Sequence, residues 1–270
     1  MTQYRPTDDT ITYMNITQET INALLSIVKE ANAAIIEVYN NHSAVVEIKA
    51  DNSPLTQADK ASHTIITKAL TELFPEISVI SEEGSEAENS AIVTQPAYWI
   101  VDPIDGTQDF VNRTGEFCIA IGLVDGDKPS FGFVSAPTMD TVYYGGPTMG
   151  SFKKVGDAEP EQIYASVLNP HVVAISRSHI SEVTEKYITD NYPGAELKKL
   201  GSMLKQVALA DGKVDVYPVI SQPLHLWDVA AGQAIIEGAG GSVKRLDGTA
   251  INWHETADFK VGDFIAKAEV

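Results

Sequence analysis

Two aspartates three positions apart, Asp102 and Asp105, follow the apolar run Trp99-Ile100-Val101 and lead straight into Gly106-Thr107. Carboxylates at the carboxyl end of a strand stand where sites form in α/β proteins. Two of them meeting across a turn suit a hard cation such as Mg²⁺, which takes oxygen ligands and keeps several waters. Gly106 and Thr107 open an expected helix, and free amides at such a start can hold a phosphate. The competing explanation for either aspartate is an acidic helix start that favours the dipole. Three further clusters weigh against it. Ser81-Glu82-Glu83-Gly84 ends another expected strand with carboxylates, of which one should face the site because neighbours in an extended segment point opposite ways. Asp228 follows Trp227 at a helix start, where it would also serve as an N-cap. Asp59 closes Thr56-Gln57-Ala58-Asp59, a capping box with Asp in the place of Glu.

The elements that must position these groups alternate between helix and strand. Apolar residues at helical spacing predict a long amphipathic helix over residues 16–39. A second runs from residue 56 until Pro75 stops it, after the turn Asp51-Asn52-Ser53-Pro54. Short apolar runs at 77–81 and 99–101 read as strands, with an acidic loop over 82–89 between them. Strands are expected at 117–124, 130–136 and 141–145. Residues 150–170 are polar and irregular, and the seam between two halves is placed there, giving an N-terminal half 1–150 with most of the carboxylates and a C-terminal half 151–270. Beyond it come a strand at 172–176, helices at 181–191 and 202–210, a strand at 214–218, a helix at 227–237 and a hairpin with Asp247-Gly248 at its tip. The expected class is a layered α/β protein.

With 270 residues the chain can bury a large core without disulfides or structural metals. Its net charge of −18 excludes duplex nucleic acid or an anionic membrane as the main partner, since both demand a basic footprint. An anionic small molecule stays compatible if a bound cation supplies the missing charge. The single cysteine, Cys118, permits neither an internal disulfide nor a Cys-rich zinc site. The polar, acidic first residues give no leader pattern, and no apolar run approaches the length that spans a bilayer. A cytoplasmic protein is expected, with its oligomeric state open. Two residues separate Asp102 from Asp105, where haloacid-dehalogenase phosphatases have one, so an aspartyl-phosphate intermediate is not expected. The six histidines form no triad with a serine.

At these residues the chain resembles the inositol monophosphatase superfamily of Mg²⁺-dependent, lithium-sensitive phosphomonoesterases. Residues 102–107 and Trp227-Asp228-Val229-Ala230-Ala231-Gly232 look like its two signature motifs, and Glu82-Glu83-Gly84 like its third. Within it, the likeness is greatest to the 3′(2′),5′-bisphosphate nucleotidases of bacterial sulfate assimilation. That likeness is carried by Asp51-Asn52-Ser53-Pro54, Ala58-Asp59, Gly115-Glu116-Phe117, Ser176-Arg177-Ser178-His179 and Gly201-Ser202 with Lys205. The resemblance implies an α/β/α/β/α sandwich with a mostly antiparallel first sheet and a mixed second one. It implies two or three Mg²⁺ ions held by Glu82, Asp102, Asp105, Asp228 and the Ile104 carbonyl, with Asp59 and Thr107 polarising the attacking water. The amides of Gly106 and Thr107 would hold the phosphate, with Asp228 also touching substrate.

A substrate with two phosphates needs further cations or hydroxyls, and Arg177, His179, Ser202 and Lys205 are the candidates. Related nucleotidases tend to carry a basic residue where this chain has Val219, a loss that Lys205 or Arg113 could offset. The activity so implied is release of the 3′-phosphate of adenosine 3′,5′-bisphosphate. An inositol or sugar phosphatase of the same fold, and a non-catalytic cation-binding module, are the alternatives.

Overall fold

Thr17 accepts a hydrogen bond from the Thr20 amide at 3.2 Å and caps helix α1 (Gln18–Asn40). The computed structural model describes residues 14–41, 46–48, 54–178, 180–222, 224–254 and 258–269. On α1, Ile21, Leu24, Val28, Ala31 and Ile35 form one buried stripe. Strands β1 (Val46–Ile48) and β2 (Pro54–Thr56) pair antiparallel and lead into α2 (Gln57–Leu73). The capping box is real: the Thr56 amide donates to Asp59 Oδ2 at 2.8 Å.

Seven strands build the first sheet in chain order. They are β3 (Ser78–Ser81), β4 (Ala97–Asp105), β5 (Cys118–Asp125), β6 (Lys128–Ala136), β7 (Thr141–Gly146), β8 (Gly150–Val155) and β9 (Glu161–Ile163). Only β3 and β4 pair parallel; each later neighbour is antiparallel. Helix α3 (Glu86–Ile92) joins β3 to β4, and the short α4 (Thr107–Val111) follows β4. The second sheet holds β10 (Val172–Ser176), β11 (Glu196–Leu200), β12 (Val216–Val219), β13 (Gly241–Arg245) and β14 (Phe264–Ala268), in the spatial order β11-β10-β12-β14-β13. It is mixed: β10 lies parallel to β11 and β12, while β14 runs antiparallel to β12 and β13. Helices α5 (Glu182–Asn191), α6 (Leu204–Ala210) and α7 (Ala230–Gly238) complete the chain.

The period of two along β4 assigns the layers. Trp99 and Val101 pack with α1 and α2 against Ile119, Ile121, Phe131 and Phe133. Tyr98 and Ile100 face the other way, onto Leu204 and Val207 of α6, Ile235 of α7, and Tyr217 and Phe264 of the second sheet. The far face of that sheet, Val173, Ile175 and Val216, is covered by Ile188 of α5. The result is the α/β/α/β/α sandwich implied by the resemblance. A strand buried on both faces reads as a continuous apolar run, which is why β4 was visible in the sequence.

Several local expectations change. Strand β4 does not stop at Val101 but continues through both aspartates, with an irregular register between Asp102 and Asp105. Residues 82–89 are not all loop: Ser85 caps α3 by accepting from the Glu88 amide at 3.3 Å. The polar segment after residue 150 adds β8 and β9 to the first sheet, so the chain crosses to the second sheet between Ile163 and Val172. Asp247 and Gly248 do form a tight turn, but β13 pairs with the distant β14. The turn residues Asp51, Asn52 and Ser53 lie outside the described residues.

Two glycines set the distance between the first sheet and α7. A Cβ on Gly132 would stand 2.0 Å from the Ala231 carbonyl oxygen, and one on Gly122 would stand 2.9 Å from Ala230 Cβ. Their missing side chains let the start of α7 lie directly on β5 and β6, which brings Asp228 to the end of β4.

Candidate active site

Asp102 is buried in β4, and its Oδ1 accepts the Ile104 amide at 3.0 Å within the stretch where the register with β5 shifts. Ser62 of α2 donates to the Pro103 carbonyl at 2.8 Å in the same irregular stretch. Asp105 comes next, its Oδ2 accepting the Met203 amide ahead of α6. Gly106 then turns left-handed at φ 89°, where a Cβ would lie 3.0 Å from both the Glu116 carbonyl and Ser202 Cβ. Both its conformation and its surroundings exclude a side chain.

Asp228 reaches the same place from the second half of the chain. His225 donates its amide to Asp228 Oδ2 at 2.7 Å, and the Gln206 carboxamide donates to the Asp228 carbonyl at 2.7 Å. One carboxylate oxygen from each of Asp102, Asp105 and Asp228 lies within 4.8 Å of the others. Glu82 joins them through the β3–β4 pairing, which sets Ser81 beside Val101 and lets the Glu82 amide donate to the Val101 carbonyl at 3.0 Å.

The electrostatics of this cluster are unfavourable as it stands. Burial raises the Asp102 carboxyl well above the ordinary range, and the charges of Glu82, Asp105 and Asp228 push it further. Asp105 is raised to about 7, first by burial and then by Asp228, although Lys205 and the Met203 amide pull the other way. Crowded carboxylates that resist ionisation are the signature of a missing positive charge. The donor set is all hard oxygen, and so it fits Mg²⁺.

Asp59 divides its two oxygens. Oδ2 accepts from the Thr56 amide and, at 2.5 Å, from the Thr56 hydroxyl, while Oδ1 faces the Thr107 hydroxyl at 3.1 Å. Thr107 Oγ1 also stands 3.0 Å from the Ile104 carbonyl. Burial raises Asp59; the Thr56 bonds oppose it and the charge of Glu83 adds to it. Residues 82–84 form a turn rather than an extended strand, and the negative charge of each glutamate is felt nearby, that of Glu82 at Asp102 and that of Glu83 at Asp59.

Beside the carboxylates a cavity of about 110 Å³ is lined by Asp105, Gly106, Ser202, Lys205, Tyr217 and Asp228, among others. Lys205 is buried, which lowers its ammonium, while Asp105 and other nearby negative groups draw it back up. Its Nζ donates to the Ser202 carbonyl at 2.6 Å and lies 5.6 Å from the centre of the Tyr217 ring. Ser202 itself is left-handed at φ 47°, with its hydroxyl 3.6 Å from Cys118 Sγ.

A profile of the inositol monophosphatase family matches residues 16–269. The chain belongs to the inositol monophosphatase family. It is similar to a protein named 3′(2′),5′-bisphosphate nucleotidase CysQ from Buchnera aphidicola subsp. Acyrthosiphon pisum, 34% identical over 251 residues that cover 90% of each chain. The CysQ of Escherichia coli strain K12 is 35% identical over 240 residues, 88% of this chain and 96% of that one. Among solved structures, CysQ from Bacteroides thetaiotaomicron, a bacterial member of the same family, superposes with a TM-score of 0.80 at 31% identity, covering 94% of this chain and 98% of the other.

Set in this family, the residues singled out in the sequence fall into three groups. Glu82, Asp102, Ile104, Asp105, Asp228, Asp59, Gly106 and Thr107 gather at the end of β4, and Ser202 and Lys205 border the same space. Arg177 is engaged elsewhere: its guanidinium forks onto Glu116 with Nε–Oε2 at 2.6 Å, and Nη2 reaches the Lys199 carbonyl at 3.2 Å. Burial alone would raise Glu116, but Arg177 and the Gly201 amide at 2.6 Å hold it below its ordinary value. Arg113 donates to the Tyr39 carbonyl and lies over that ring, and Val219 is fully buried in the core. His179 lies outside the described residues. Sequence reasoning missed Gln206, which grips the Asp228 carbonyl, and the Met203 amide on Asp105. A glutamine inside a helix and a backbone N–H leave no mark in a sequence.

Proposed function

We propose that the protein is a Mg²⁺-dependent phosphomonoesterase that releases the 3′-phosphate of adenosine 3′,5′-bisphosphate, giving AMP and phosphate. The observation that carries this reading is the convergence of Asp102, Asp105 and Asp228 beside the Thr107–Asp59 pair. The name carried by the relatives that match nine tenths of the chain supports the substrate class.

Glu82, Asp102, Asp105, Asp228 and the Ile104 carbonyl would hold two or three ions. When bound, these would neutralise phosphate charge, lower the pKa of water and stabilise the leaving oxygen. The Thr107 hydroxyl accepts a proton from the attacking water as its own passes to Asp59 Oδ1, and the buried, raised Asp59 is a better base than an exposed carboxylate. Amides of Gly106 and Thr107, unpaired within the helix they open, face the scissile phosphate. Across the cavity Lys205 and Ser202 receive the second phosphate. Inhibition by lithium and a cytoplasmic location complete the reading.

Asp105→Asn and Asp228→Asn test it. Each should abolish Mg²⁺-dependent phosphate release while circular dichroism and melting report a folded protein. Wild-type turnover in either variant would sink the assignment of these carboxylates.

A further inference from the structure

Strand β3 is an edge of the first sheet. An edge strand leaves every second residue with its amide and carbonyl pointing away from the sheet, and such groups need a partner when buried. At the end of β3 that residue is Ser81, which is buried. Among the described residues no strand lies beyond it. Instead the carboxamide of Asn89, on α3, takes the place of one: Nδ2 donates to the Ser81 carbonyl at 2.8 Å, and Oδ1 faces the Ser81 amide at 3.4 Å. Asn89 is 4% exposed. The Gly84 amide adds a bond to the same carbonyl at 2.9 Å, and the Ser81 hydroxyl meets His63 Nδ1 at 2.8 Å.

The peptide so gripped is the one that launches Glu82. On its other side the Glu82 amide donates to Val101, next to Asp102. The turn bearing Glu82 and Glu83 is thus held from β4 within the sheet and from Asn89 outside it. We propose that Asn89 is a positioning residue for these two glutamates. Its carboxamide substitutes for an edge strand, fixes the Ser81 peptide and sets Glu82 against Asp102. The geometry at Gly84 agrees, since a Cβ there would stand 3.1 Å from both Asn89 Oδ1 and the Ser81 carbonyl. The inference rests on the reading of Glu82 as a metal carboxylate.

Asn89→Leu keeps the size of the side chain and removes both bonds. Calorimetric titration of the purified protein with Mn²⁺ should show a dissociation constant raised tenfold or more, the range in which groups that orient metal ligands act. The Mg²⁺ concentration for half-maximal activity should rise with it. At saturating Mg²⁺, kcat and the KM for adenosine 3′,5′-bisphosphate should stay within about threefold of wild type, a split that general destabilisation does not produce. Gly84→Ala presses on the same contact without removing it and should weaken Mn²⁺ binding in the same direction, which keeps the test open if the leucine variant fails to fold. Wild-type Mn²⁺ affinity in the folded variants would overturn the role of Asn89. A wild-type protein that binds no Mn²⁺, or an Asp105→Asn variant that binds it equally well, would overturn the metal reading itself and this inference with it.

Discussion

Asp105 makes the metal-free protein less stable as the pH rises. Its carboxyl is raised from 3.8 to about 7 in the folded chain, so between those values the folded state holds a proton that the unfolded state has released. Stability from this group is complete at pH below 3.8 and is lost as the pH climbs through 7. Across that gap the loss is at most about 4 kcal/mol, at 1.36 kcal/mol per pH unit. Asp102 and Asp59 are raised as well and act in the same direction. For a chain of this size about 2–4 °C of melting temperature corresponds to each kcal/mol.

Melting followed by circular dichroism in EDTA should therefore show a fall of several degrees between pH 5 and pH 8. Asp105→Asn isolates the contribution, because an amide cannot ionise yet can still accept the Met203 amide; its fall should be smaller by at least about 3 °C. Mg²⁺ must displace the same proton, so it should stabilise the wild type more at pH 8 than at pH 5. Parallel pH profiles for wild type and variant, or equal stabilisation by Mg²⁺ at both pH values, would refute the reasoning.

Lys205→Ala should raise the KM for adenosine 3′,5′-bisphosphate tenfold or more while changing that for inositol 1-phosphate far less, measured by phosphate release; equal effects would remove Lys205 from recognition of the second phosphate. Gly132→Ala forces a methyl into the carbonyl of Ala231 and should cost about 3 kcal/mol or more in urea unfolding. The same variant should weaken Mn²⁺ binding, because α7 carries Asp228 away from Asp102. Wild-type stability there would mean that α7 does not depend on that close approach.

The central layers were legible in the sequence because their residues answer to local rules. Tyr98, Trp99, Ile100 and Val101 are apolar in succession, as a strand covered on both faces must be. Thr56 and Asp59 announced a helix start, and the structure shows that Asp59 divides its contacts: one oxygen caps α2 and the other meets Thr107. What stayed hidden depends on distant partners. Strand β11 is the polar segment Glu-Leu-Lys-Lys-Leu, which becomes a strand only because β10 lies beside it. The expected hairpin marked the segment of β13 but not its partner, β14, some twenty residues on. Helix α3 is acidic and short, and its value lies in one buried asparagine rather than in any apolar stripe. Arg177 reads as a free cation in the sequence, yet Glu116, sixty-one residues away, holds it.

The most direct measurement is phosphate release by the purified protein, with and without Mg²⁺, from adenosine 3′,5′-bisphosphate, inositol 1-phosphate and fructose 1,6-bisphosphate at equal low concentration. Mg²⁺-dependent release with AMP as product, and a preference for the nucleotide of ~100-fold or more in kcat/KM, about 2.7 kcal/mol, is the predicted result. A preference for inositol 1-phosphate would contradict the assignment of Ser202 and Lys205 to a second phosphate, and release that is indifferent to Mg²⁺ would contradict the carboxylate site itself.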